Sequence, residues 1–205
     1  ATSGLTAQAV QAVAKGDLSI PQAAQTRIAA GVDPKYVASI CGLLAAHSIA
    51  KAYGKDIPLA QLVKLAQEGG EWDGREMKGT VAWQKLLSRT AGLQSETLGT
   101  SEALRLLKDE GVPVIISTSG AGPNQIPHYF IAQRVDTQGR IYVGQSGLAI
   151  AQVGGKEWMT LDEIQRAAGS TIHFVRVNSK AQPTPAAVTT ANTTLTTPAG
   201  PAAPA

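Results

Sequence analysis

The chain has 205 residues, 18 basic against 15 acidic side chains for a net charge of +3, and 43% hydrophobic residues with only 4% aromatic. That length suits one main domain with extensions, and the lysines and arginines lie singly, which argues against nucleic acid as a partner. No stretch approaches the roughly 20 apolar residues of a membrane span, and the single cysteine, Cys41, excludes an internal disulfide or a multi-cysteine zinc site.

In chain order, Thr6 caps a first helix that stops at Gly16, and Ser19-Ile20-Pro21 opens a second that ends at Gly31. Residues 1–32 therefore read as a helical arm or linker. Asp33-Pro34 is a strong helix start, leaving two alternatives. Either one helix runs unbroken to Tyr53 with Cys41 in its middle, or it breaks near Ser39 and Cys41 takes the positive end, where a thiol loses its proton more readily. Shorter helices follow over Ile57 to Ala66 and Thr80 to Leu87, separated by a Gly-rich loop in which Glu71, Asp73 and Glu76 read as solvated. Ser101 caps a helix over Glu102 to Lys108, and Gly111 ends it.

The period then changes. Val112 to Ser117 is a buried strand, His128 to Val135 an alternating one, Asp136-Thr137-Gln138-Gly139 a turn, and Arg140 to Val143 its return. Thr160 to Ala168 is helical and Thr171 to Val177 is a last strand. Helices first and strands second predict an α+β fold with an antiparallel sheet packed on the helices. Residues 33–178 form that domain, and its sparse aromatics predict a core of Ala, Val, Leu and Ile, with Trp72 and Trp83 at its edges and Trp72 free to line a groove. Residues 179–205, almost all Ala, Thr and Pro, form a low-complexity tail that cannot order itself, so a protein partner is expected wherever it is held.

A thiol followed much later by an imidazole is a cysteine-peptidase order. Cys41-Gly42 opens a helix closing on Ala52-Tyr53-Gly54. Downstream come Gly79-Thr80, Gly111-Val112-Pro113-Val114-Ile115, His128-Tyr129-Phe130-Ile131 and Gly139-Arg140-Ile141-Tyr142-Val143. In this order and spacing, over about residues 34–178, the chain resembles the papain-like C39 family of cysteine peptidases, particularly the C39-like domains. The resemblance implies a papain-like fold, Cys41 as nucleophile, His128 as the base that activates it and returns the proton to the leaving amine, and a side chain behind the imidazole to orient it.

Two positions depart from the family pattern. The orienting aspartate or asparagine is replaced by Gln145, with Ser146 and Asp136 as substitutes, and residues 26–40 contain no glutamine to complete an oxyanion hole. His47 points away from Cys41 along the same helix, and His173 reads as structural. Gly144-Gln145-Ser146-Gly147 misses the nucleophile-elbow spacing of a serine hydrolase, and no motif asks for a cofactor or metal.

The expected function is thiol-dependent hydrolysis of peptide bonds in a polypeptide or in peptidoglycan peptides. The alternative is an inactive, peptidase-like structural module of a larger extracellular or virion assembly, such as a phage tail. The start Ala1-Thr2-Ser3-Gly4 carries no leader and no methionine, as expected of a processed start or a piece of a longer chain. An extracellular or virion setting is expected, with the cytoplasm left open.

Overall fold

The computed structural model describes residues 4–15, 18, 33, 40–118, 128–144, 156–168 and 171–178. The expected helix from Ser19 to Gly31, Pro34 of the expected Asp33-Pro34 helix start, the expected site residue Gln145 and the tail lie outside them. What is described is a mixed helical and antiparallel-sheet protein. Helix α1 spans Ala7–Lys15, α2 Cys41–Ala52, α3 Leu59–Glu68 and α4 Gly79–Ala91. Strand β1 (Gln94–Leu98) and helix α5 (Thr100–Arg105) follow, and α5 widens into a π-helical turn over Leu106–Glu110. Then come β2 (Val114–Thr118), β3 (His128–Ala132), β4 (Arg134–Val135), β5 (Ile141–Tyr142), β6 (Trp158–Met159), α6 (Leu161–Ala168) and β7 (Ile172–Asn178).

The helices begin and end for local reasons that the sequence mostly announces. Thr6 Oγ1 accepts the Ala9 N–H at 3.1 Å and caps α1. Thr160 and Glu163 form a reciprocal capping box at the start of α6, with bonds of 2.9 and 3.2 Å. Gly92 and Gly111 end α4 and the π turn in the left-handed region, at φ of 65° and 61°. Ser101 is not the cap expected of it, because α5 starts two residues earlier than expected, at Thr100 after the extended Gly99.

The main sheet has four strands in the order β1-β7-β2-β3, every neighbouring pair antiparallel. The strand expected over His128 to Val135 is two strands. It bends at Gln133, whose side chain is buried and whose N–H donates to the Tyr142 carbonyl at 3.0 Å, so that β4 leaves the main sheet and joins β5 and β6 in a three-stranded one. Asp136 closes the β4–β5 turn as expected, accepting the N–H groups of Gln138 and Arg140 at 2.9 and 2.8 Å.

Alternation along β2 and β3 divides the interior into two cores. Ile115, Tyr129 and Ile131, with Val175 and Val177, face Leu43, Ile49, Leu62, Trp83 and Leu86 of α2, α3 and α4. Val114, Ile116, Phe130 and Ala132, with Phe174, face Leu107, Ile141, Met159 and Ile164 on the other side. The core is built mainly from Ala, Val, Leu and Ile as expected, but the expectation that aromatics do not anchor it and sit at its edges is corrected here. Trp83 is wholly buried and Trp72 is 2% exposed, so the two indoles sit within the first core and Trp72 lines no groove.

Candidate functional site

Cys41 is the first residue of α2, and the residue before it, Ile40, has left the helical region at φ −95° and ψ 15°. This is the second of the two sequence alternatives, with the thiol at the positive end of the helix. The first turn of α2 contains no acidic residue. As a residue Cys41 is half-buried, but its sulfur is enclosed. Burial pushes the thiol pKa up, against an opposing pull from the backbone N–H groups of Tyr129, Gly42 and Cys41 itself.

The walls around the sulfur explain why Gly42 follows it. A Cβ at Gly42 would lie 3.3 Å from both Met77 Cβ and Tyr129 Cδ2, so a glycine lets α2 approach β3 this closely without either neighbour giving way. The Trp83 indole N–H donates to the Gly42 carbonyl at 2.9 Å, and the Trp83 ring stacks on Tyr129 with centroids 6.3 Å apart. Burial pushes the Tyr129 phenol pKa up to about 12, against an opposing pull from the hydroxyls of Ser117 and Thr80. Thr80 Oγ1 in turn donates to Ser117 Oγ at 3.2 Å. None of Tyr129, Ser117 and Thr80 was assigned a role by sequence reasoning. The available signal was Ser117, a hydroxyl closing an otherwise apolar buried strand.

His128 is the first residue of β3, one position before the strand residue that touches the thiol. Its N–H donates to Thr118 Oγ1 at 3.1 Å, which fixes the strand end. The imidazole stacks on Phe130, centroids 5.7 Å apart at 30°, and burial lowers its pKa to about 4. Phe130 belongs to the second core, whereas Cys41 packs against the first. The fold thus sets Cys41 against the strand position next to His128 and turns the imidazole toward the opposite face from the thiol.

The remaining candidates have other occupations. Asp136 binds the guanidinium of Arg140 at 2.7 Å within its turn. His47 Nδ1 is 2.8 Å from the Ile57 carbonyl, tying α2 to the start of α3. His173 pairs with Ser117 across β7 and β2, so Tyr129, Ser117 and His173 form a row across the sheet on the thiol's face. The loop carboxylates, expected to be solvated, behave differently from one another. Glu71 is buried and forked by Arg89 at 3.1 and 2.8 Å, while Asp73 accepts the N–H groups of Arg75 and Glu76 and pairs with Lys78 at 2.8 Å. Among the described residues no three His, Cys, Asp or Glu side chains are grouped to hold a metal ion, and no described helix is long and apolar enough to cross a membrane.

No family model matches this chain, and no curated protein matches it.

Proposed function

We propose that the chain is a papain-like domain that hydrolyses peptide bonds through Cys41 and His128. The observation that carries this reading is the position of Cys41, a thiol at the start of a helix whose first turn holds no acidic residue, faced by backbone N–H groups and lying against the strand that His128 begins. In the reaction the imidazole takes the thiol proton and the thiolate attacks the substrate carbonyl carbon. The same proton passes to the leaving amine as the C–N bond breaks, and water hydrolyses the resulting thioester. The thiol at rest is neutral, so the reaction needs the His128 ring to leave Phe130 and turn to the sulfur when substrate binds. Substrates are a polypeptide or the peptides of a bacterial cell wall, with Gln145 orienting the ring.

The test is the release of peptides from a polypeptide or from peptidoglycan by the full chain. The peptidase reading expects release that is lost in both Cys41→Ala and His128→Ala. No release, or release unchanged in Cys41→Ala, counts against it.

That outcome supports the second reading, a non-catalytic module of an extracellular or virion assembly in which a partner protein holds the tail. The observation favouring it is the imidazole itself, stacked in the second core.

A further inference from the structure

We propose that helix α1 is a clamp on the three-stranded sheet, coupled to it through Gln133 and Arg134 at the bend between β3 and β4, so that docking of the helix and order of that sheet are one equilibrium. Whatever draws α1 off the body, a cut or a pull, thereby loosens β4, β5 and β6 and leaves the four-stranded sheet in place. The device makes no use of Cys41.

The small sheet has little of its own to hold it. Each of its strands is two residues long, too short to persist unaided. One face is secured, because Ile141 and Met159 enter the second core. The other carries a cross-strand row in register, Arg134 opposite Tyr142 and Tyr142 opposite Trp158. The two rings meet edge-on with centroids 4.9 Å apart, and the Arg134 guanidinium lies 4.8 Å from the first and 5.1 Å from the second, within cation–π range. That guanidinium also reaches out of the sheet. Its Nη1 donates to the Ala14 carbonyl at 2.6 Å, in the last turn of α1, where carbonyls lack partners within the helix and the helix end favours a cation. Gln133, the preceding residue, repeats the pattern. Its N–H donates to the Tyr142 carbonyl at 3.0 Å, and its buried side-chain oxygen accepts the Leu18 N–H at 2.9 Å. Two consecutive residues at the bend thus each hold β5 with one group and the N-terminal segment with another. At its other end α1 is tied to the body by the Thr6 N–H on the Ala52 carbonyl at 2.9 Å, and along its length by buried Ala9 and Val13. Undocking α1 strips a buried amide oxygen of its donor and a stacked guanidinium of its acceptor. Loosening the row in turn withdraws the two groups that hold α1, because coupling between two elements is reciprocal.

The test is amide hydrogen exchange of the full chain, read by mass spectrometry. Arg134→Met keeps a long apolar stem over the rings and removes the guanidinium, whereas Val13→Ala weakens the seat of α1 from the helix side. Each is expected to speed exchange about tenfold both in α1 and at β5 and β6, with Ile115 to Thr118 of β2 exchanging as in the wild type. Arg134→Lys, which keeps a donor for the Ala14 carbonyl, should fall between Arg134→Met and the wild type. If Arg134→Met loosens β5 and β6 but not α1, or Val13→Ala loosens α1 alone, docking and sheet order are independent and the proposal is overturned. Wild-type exchange in both variants overturns it too. So does an equal rise at β2, since the helix and the small sheet would then share only the stability of the whole protein.

Discussion

An imidazole with almost no access to water is a pH-dependent element of stability whatever its role in catalysis. His128 is 9% exposed, and its pKa of about 4 lies below the ordinary value of 6.5 because burial disfavours the cation. Between those two values the unfolded chain binds the proton that the folded one refuses. Stability is therefore full above pH 6.5 and falls as the pH drops toward 4, by on the order of 3 kcal/mol. Urea titrations of the wild type from pH 7 to pH 5 should show a falling midpoint, and His128→Gln should flatten that fall. A midpoint equally pH-dependent in both proteins would show that the acid sensitivity arises elsewhere. The identities of Cys41 and His128 were legible in the sequence because a lone thiol and a strand-opening histidine are conspicuous. The face on which the ring lies was not, since it depends on how the first residue of β3 is twisted onto Phe130.

Helix α2 meets the sheet through Gly42, and this contact sets how near the thiol comes to β3. Alanine is the better helix former by about 1 kcal/mol, yet at Gly42 its Cβ would press on Met77 Cβ, which cannot swing away, and on a Tyr129 ring pinned by Trp83. Gly42→Ala is therefore expected to lower stability by about 1 kcal/mol in chemical denaturation and to change the alkylation rate of Cys41. A more stable variant with an unchanged rate would mean that the helix backs off freely. The start of α2 was readable only as two alternatives, because no side chain caps it and Ile40 gives no stop signal. Strand β1 was not readable at all. Gln94-Ser95-Glu96-Thr97 lacks apolar alternation, and the segment becomes a strand because β7 pairs with it, with Arg176 reaching Glu96 at 2.6 Å. The bend at Gln133 was hidden for a similar reason, since alternation continues through it and only the distant Tyr142 carbonyl marks the break.

Over the whole molecule, the first helix is part of the packed body. Ala9 and Val13 are buried, the Thr6 N–H donates to the Ala52 carbonyl at 2.9 Å, and Arg134 donates to the Ala14 carbonyl at 2.6 Å. The Leu18 N–H adds a bond of 2.9 Å to the buried Gln133 side chain. Deleting residues 1–18 should cost about 3 kcal/mol, from the lost valine burial and the opened polar groups, and lower the thermal midpoint by roughly 10 °C. An unchanged midpoint would mean that α1 rests on the surface without supporting it. The α+β class followed from the change of period after Gly111. The two-core arrangement did not, because it is made by a sheet whose strands are out of chain order.

That order has a consequence for how the protein is made. β7, the last described strand, lies between β1 and β2, and pairs with Gln94–Leu98 on one side and with Ile115 to Thr118 on the other. A growing chain that has delivered Cys41, His128 and every described helix still has a gap where its sheet should join. β1 and β2 have no direct partnership to form early, and both cores lack Val175, Val177 or Phe174 until the final strand arrives. Synthesis therefore defers the thiol's surroundings until β7 emerges, and Cys41 gains its enclosed, backbone-lined setting only when the strand around Val175 slots into place.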